Sequence, residues 1–260
     1  MNNHAIIGVD IGTTGCRAVI YRPDGVCLAN QSAEYPLYTP QATWAEQDPE
    51  EIYQAFHDVV QQAVIQSGLR PEQIDGLCFS TVFHSFIPLD SDGNPLFRLL
   101  TWADGRSQPY VEQLKQSYDG QAFYSRTGCP FHPMYPMAKV LWIKNERPEI
   151  FAKTAKFGSV KEFLLYRLTG QWMIDRSIAS GTGIYNFNDM AWDTEIMSIL
   201  GIDSSRLSPV VPTTYAINGI KRDMAHKLGL SENCRVVLGA GDGAMSNLGS
   251  GVIRPGQLTA

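Results

Sequence analysis

The chain has 260 residues, 44% hydrophobic and 18% charged, with 23 Gly and 15 Pro, the make-up of a turn-rich globular protein with a large core and not of a disordered one. Its formal net charge of -5 comes without a Lys/Arg cluster, which argues against nucleic acid or an anionic membrane as the main partner.

Residues 5–9 and 18–21 are strand-like and are joined by Asp10-Ile11-Gly12-Thr13-Thr14-Gly15-Cys16-Arg17. Such a turn gathers backbone N–H groups and hydroxyls as a phosphate requires, and Asp10 at its mouth could hold Mg²⁺ through water. A hairpin turn uses the same residues, and no G-x-x-x-x-G-K-[S/T] loop is present. Arg22-Pro23-Asp24-Gly25 marks a second turn and residues 26–32 a third strand, completing an antiparallel meander. Asp48-Pro49-Glu50-Glu51 then opens a helix with Ile52, Phe56, Val59, Ala63 and Val64 on one face and Gly68 at its end.

Residues 74–80, 83–89 and 97–102 are strand-like and continue the sheet. From 107 to about 170 the texture turns helical, at 108–118, 137–145 and 161–168, with a Pro-rich stretch at 130–136, as in an inserted helical layer. Strand character returns at 172–175 and 182–187, short helices at 194–200 and 222–228, and a buried-type strand at 235–238. The succession predicts an α/β domain with a mixed sheet and helical insertions. There is no internal repeat.

Three segments carry candidate chemistry. In Gly239-Ala240-Gly241-Asp242-Gly243-Ala244 the flanking glycines would let a substrate hydroxyl reach the Asp242 carboxylate and lose its proton during attack on a phosphate. Asp242 could equally cap a helix over 244–248. The same glycines match G-x-G-x-x-A, but no acidic residue follows Asp242, so the context of a dinucleotide site is missing. Trp102-Ala103-Asp104-Gly105-Arg106 offers an indole face, a carboxylate and a guanidinium suited to a polyol, or a surface ion pair beside a core Trp. His84, inside a strand pair, reads as a satisfied core histidine more readily than as a ligand group, and the stretch 175–182 as a cleft wall or a turn.

The five cysteines are odd in number, widely spaced and never in C-x-x-C form, which points to neither a disulfide framework nor a zinc site and fits a reducing cytoplasm. A secretory leader and an apolar run of about 18 residues are both missing from the sequence given, so a cytoplasmic location is expected.

In order, DIGTTGCRAVI from Asp10, WAEQDPEEI from Trp44, TWADGRS from Thr101, KEFLLYRLTG from Lys161, DRSIASGT from Asp175 and GAGDGAMSNLG from Gly239 make the chain resemble the FGGY family of carbohydrate kinases. The resemblance implies the actin-like ATPase, ribonuclease-H-like fold. It implies transfer of the γ-phosphoryl of ATP to a sugar hydroxyl, with Asp242 as general base and Asp10 organising Mg²⁺ through water. Gly12, Thr13, Thr14, Gly15 and Arg17 would bind phosphate, and Phe83, His84, Trp102, Asp104 and Met134 would line the sugar pocket.

The stretch Thr127-Gly128-Cys129-Pro130-Phe131-His132-Pro133-Met134 is most similar to the gluconokinases of that family, so gluconate is the leading substrate. Arg106, His84 or His132 would meet its carboxylate. A xylulose, ribulose or glycerol kinase is the nearest alternative, and a non-catalytic sugar-binding module the alternative from another class; a homodimer is compatible with each. The resemblance further implies residues 1–248 as the sugar-binding domain and 249–260 as the start of an ATP-binding domain that the given sequence does not continue, so weak sugar binding and little kinase activity are expected of this polypeptide alone.

Overall fold

The structure, a computed structural model, describes residues 4–258. Three strands open it, β1 (Ala5–Ile11), β2 (Gly15–Tyr21) and β3 (Cys27–Glu34), followed by β4 (Glu46–Gln47), α1 (Pro49–Ser67), β5 (Ile74–Thr81), β6 (Ile87–Leu89) and β7 (Leu99–Leu100). Helices α2 (Gln108–Ser117), α3 (Gly120–Thr127), α4 (Pro136–Glu146) and α5 (Pro148–Lys153) come next, then β8 (Lys156–Gly158), α6 (Val160–Thr169), β9 (Ile174–Asp175), α7 (Arg176–Ser180), β10 (Tyr185–Asn186) and β11 (Ala191–Trp192). The chain continues through α8 (Thr194–Leu200), β12 (Val210–Val211), β13 (Ala216–Ile217), α9 (Arg222–Leu228), β14 (Arg235–Gly241) and α10 (Asp242–Gly249).

The main sheet has the order β13-β14-β5-β1-β2-β3. The meander β1-β2-β3 is antiparallel, β5 and β14 lie parallel to β1, and β13 is antiparallel to β14, the mixed sheet expected from the sequence. Alternation along β1 sends Ala5, Ile7, Val9 and Ile11 into the core and leaves Asp10 exposed on the other face. α1 begins where the Asp48 carboxylate accepts from the Glu50 N–H, with Pro49 in the first turn, and ends at Gly68 in the left-handed region. Its buried Ile52, Phe56, Val59, Val60 and Ala63 join β1, β5, α6 and α9 in one core. A second core, built on Val111, Leu114, Phe123, Val140, Trp142 and Ile196, holds the inserted helices together.

Several expectations need correction. Residues 83–89 and 97–102 contribute only the short β6 and β7, which pair with β8 and β4 and not with the main sheet. His84 interrupts the first of these at φ 61°, a backbone conformation that ends a strand. Helices α3 and α5 are additional to those expected. The 175–182 stretch holds α7, capped by Asp175, whose carboxylate accepts from the Ile178 N–H. β14 runs three residues further than expected, and α10 begins at Asp242. Thr259 and Ala260, the end of the expected second-domain segment, lie outside the described residues. Among the described residues no helix is long and apolar enough to cross a membrane.

Candidate functional site

The carboxyl ends of the three parallel strands meet in register. Asp10 of β1 lies opposite Ser80 of β5, and Ser80 and Thr81 lie opposite Ala240 and Gly241 of β14, directly before Asp242. Ligands of open α/β sheets collect at such ends. Getting Asp242 there takes a bulge between Val237 and Ala240. Gly239 occupies it at φ +64°, where a Cβ would stand 1.7 Å from the Phe79 carbonyl oxygen, so only glycine fits.

The loop after β1 is tightly fixed. The Gly12 N–H donates to the Gly15 carbonyl at 2.9 Å. The Tyr35 hydroxyl lies 2.6 Å from the Gly12 carbonyl oxygen and 3.0 Å from that of Gly15, one proton shared between two acceptors. Gln47 Nε2 donates to the Thr13 carbonyl at 2.7 Å, and Ser80 Oγ donates to Asp10 Oδ1 at 2.7 Å. A Cβ on Gly15 would come 2.5 Å from the Ala33 carbonyl oxygen.

This loop divides two hollows. On one side a polar hollow of about 360 Å³ is lined by Asp10, Gly12, Thr14, Gly15 and Arg17 together with the end of β3. On the other a cleft of about 350 Å³ is lined by Thr13, Val82, Phe83, His84, Trp102, Met134 and Asp242. Trp102, 47% exposed, donates from Nε1 to Thr13 Oγ1 at 3.0 Å, joining the wall of the cleft to the loop. His84 Nδ1 lies 2.6 Å from the Gly181 carbonyl oxygen. A carbonyl only accepts, so Nδ1 carries the proton and the neutral ring keeps Nε2 as an acceptor. Burial lowers the His84 pKa, the Lys139 charge adds to that, and the Gly181 carbonyl and Asp242 oppose it.

Asp242 is the first helical residue of α10, not its cap; its Oδ1 accepts from the Gly243 N–H at 2.8 Å. Phe83 closes over Gly241, where a Cβ would come 2.0 Å from Phe83 Cε2.

Asp104, Arg106 and His132 are not brought to this cleft. Asp104 is 1% exposed, accepts from the Ala45 N–H at 2.8 Å, and is paired with Arg106. Arg106 Nη2 also donates to Glu46 Oε1 at 2.6 Å, and its guanidinium stacks 3.8 Å from the centroid of the Trp44 ring. This buried network braces the turn that presents Trp102, and it leaves neither charge aimed at the cleft. His132 is exposed; its Nδ1 accepts from the Met134 N–H at 3.2 Å.

Two lysines behind the cleft escaped the sequence reading, although a lysine inside an apolar helical run is itself a signal, since such a charge is rarely buried without partners. Lys139 of α4 is fully buried and donates to the His84 and Thr101 carbonyls at 2.7 and 2.8 Å. Lys161 of α6 donates to Asp175 Oδ2 at 2.7 Å and to the Ala240 carbonyl at 3.1 Å. The Gly241 N–H donates to Ser177 Oγ at 3.2 Å.

Among the described residues no group of three or more His, Cys, Asp or Glu is arranged to hold a metal ion. A lone exposed carboxylate at Asp10 suits an ion that keeps most of its waters, as Mg²⁺ does.

The family model for the N-terminal domain of the FGGY family of carbohydrate kinases matches residues 5–249. A gluconokinase from Bacillus subtilis (strain 168) is 39% identical over 254 residues, which cover 97% of this chain and 49% of that protein. Among solved structures, a gluconate kinase from Lactobacillus acidophilus is similar with a TM-score of 0.89 at 35% identity, covering 94% of this chain and 49% of that one. A ligand-bound xylulose kinase from Lactobacillus acidophilus is similar with a TM-score of 0.91, also at 35% identity, covering 95% and 50%. The chain spans about half the length of the curated relatives it matches.

Proposed function

The chain belongs to the FGGY family of carbohydrate kinases, and we propose that it supplies the sugar-binding domain, residues 1–248, of an ATP-dependent kinase acting on the terminal hydroxyl of gluconate. Residues 249–260 then begin the ATP-binding domain. The observation that carries this reading is the meeting of β1, β5 and β14, which sets Asp10 and Asp242 at the ends of parallel strands, with a polar hollow and an aromatic-walled cleft on opposite sides of one loop.

In this reading the sugar lies in the cleft, its C–H face against Trp102 and a hydroxyl donating to His84 Nε2. Its terminal hydroxyl passes its proton to the Asp242 carboxylate as the oxygen forms a bond to the γ-phosphorus and the bond from that phosphorus to ADP breaks. The N–H groups and hydroxyls of Thr13 and Thr14 hold phosphate oxygens over the turn that Gly12 and Gly15 close by their own hydrogen bond, with Arg17 beside them. Asp10 would hold Mg²⁺ through water, and the ion would supply charge neutralisation at the phosphates; Ser80 Oγ, donating to Oδ1, keeps that carboxylate in place.

Gluconate is favoured by the 39% identity to a gluconokinase. A ketopentose is the second reading, because a gluconate kinase and a xylulose kinase are equally similar in sequence at 35%. The presence of both Asp10 and Asp242 favours a kinase over a non-catalytic module. A thermal-shift panel with gluconate, xylulose, ribulose and glycerol, each with and without Mg-ATP, tests the assignment, since binding to the native state raises its stability. Gluconate is expected to give the largest shift; a clear shift with a ketopentose and none with gluconate would replace it.

A further inference from the structure

The pairing of Phe86 with Leu100 is the last backbone contact before two segments diverge into the cleft, one carrying His84 and the other Trp102. Beyond it neither the His84 nor the Thr101 carbonyl has a partner in a strand, the Thr101 carbonyl accepting only from the Asp104 N–H of its own turn at 3.1 Å, and the Lys139 ammonium bridges the two segments with one N–H to each carbonyl, at 2.7 and 2.8 Å. Lys139 is 0% exposed, in a stretch of α4 where Met137, Ala138, Val140 and Ile143 are also buried. Its hydrogen-bond partners are carbonyls and not a carboxylate, an expensive arrangement for a cation in an apolar helix. His84 sits at φ 61°, a conformation that persists in a non-glycine residue only when its surroundings hold it.

From this geometry we infer that Lys139 is a positioning residue of the sugar cleft: by clamping the His84 and Thr101 carbonyls it sets the spacing between the His84 ring and the Trp102 indole, and thereby sugar affinity. The inference rests on the cleft being the sugar site. Two acceptors that would otherwise face each other across a widening gap are held by a group with donors only. The clamp also fixes the direction of the His84 ring, because the ring's bond to the Gly181 carbonyl requires the backbone at His84 to stay where Lys139 holds it. Burial pulls the Lys139 pKa down to about 7, with Asp104 opposing that shift and Arg106 adding to it; a neutral amine still has two N–H groups for the two carbonyls.

The test uses the chain itself, with Lys139→Met, which keeps length and removes the donors, and Lys139→Arg, which keeps donors in a different geometry. Two quantities are read: the Kd for gluconate or for whichever sugar of the panel binds the wild type, and the ¹⁵N chemical shifts of the His84 ring, assigned by their loss in His84→Gln. The wild type is expected to show the tautomer protonated at Nδ1. In Lys139→Met the ring is expected to move to a mixture of tautomers and the sugar Kd to rise at least tenfold, with Lys139→Arg in between.

A folded Lys139→Met protein with a wild-type His84 spectrum, or with a sugar Kd within twofold of wild type, overturns the inference. If Lys139→Met does not fold, Lys139→Arg takes both readings, with a threefold rise in Kd and a displaced ring spectrum expected, and no change in either overturning it. If no sugar binds the wild type, the functional assignment fails while the ring spectrum alone still decides whether Lys139 positions His84.

Discussion

Lys161 Nζ and Asp175 Oδ2 stand 2.7 Å apart with both side chains fully buried, and the same ammonium reaches the Ala240 carbonyl two residues before Asp242. The pair therefore links α6, the cap of α7 and the end of β14. Asp175→Asn keeps an acceptor for the α7 cap and leaves the Lys161 charge unpaired. It is expected to destabilise the chain by about 3–5 kcal/mol, measured as a lowered urea midpoint with unchanged m; a loss under about 1 kcal/mol would mean that the ammonium finds another partner.

Two buried groups give stability opposite slopes with pH. Burial raises the Glu162 pKa from 4.5 to about 7, so the folded state binds more protons than the unfolded one in that interval and stability falls as pH rises through it. The Lys139 pKa falls from 10.5 to about 7, so the unfolded state binds more protons from there up to 10.5 and stability rises with pH. Thermal melts across the range are expected to show a shallower descending limb in Glu162→Gln and a shallower ascending limb in Lys139→Met, the remainder of the rise belonging to Lys161 and Lys156, whose pKa values burial also lowers.

The glycines around Asp242 are expected to differ sharply. Gly239→Ala forces a side chain into the Phe79 carbonyl at positive φ and should cost more than about 2 kcal/mol. Gly243→Ala has nothing within 4 Å of its Cβ and, within α10, should be neutral or stabilising by about 0.5–1 kcal/mol. Chemical denaturation of both variants checks the contrast; equal costs would show that the bulge is not what requires glycine.

On the proposed function, in a two-domain version of the protein, Asp242→Asn is expected to lower kcat by at least about 100-fold, at the low end of what general base catalysis contributes, with sugar Kd within twofold. Ser80→Ala frees Asp10 Oδ1 and should raise the Mg²⁺ concentration needed for half-maximal rate several-fold while leaving sugar KM unchanged. An unaltered kcat in Asp242→Asn would remove that residue as the base.

Where local chemistry decides structure, the sequence was a good guide. Asp48, Pro49 and Gly68 mark both ends of α1 because capping acts over one turn, and the alternation in β1 separates Asp10 from its core neighbours. Direction in space was harder to read. Trp102, Asp104 and Arg106 are two residues apart, yet the indole faces the cleft while the carboxylate and guanidinium are drawn inward by Glu46, the Ala45 N–H and the Trp44 ring, partners some sixty residues earlier. The break at His84 depends likewise on Gly181 and Lys139, distant in sequence. α3 and α5 are short helices whose signals merge with the turns around them.

The loop from Asp10 to Arg17 turns Thr13 toward one hollow and Asp10, Thr14 and Arg17 toward the other. On the proposed function the sugar and the nucleotide phosphates therefore have separate hollows that share this loop, and neither has to leave before the other enters. Direct transfer from one to the other is then expected in a two-domain version of the protein, so that double-reciprocal plots of rate at several fixed concentrations of the second substrate intersect; parallel lines would point to a covalent intermediate on a side chain.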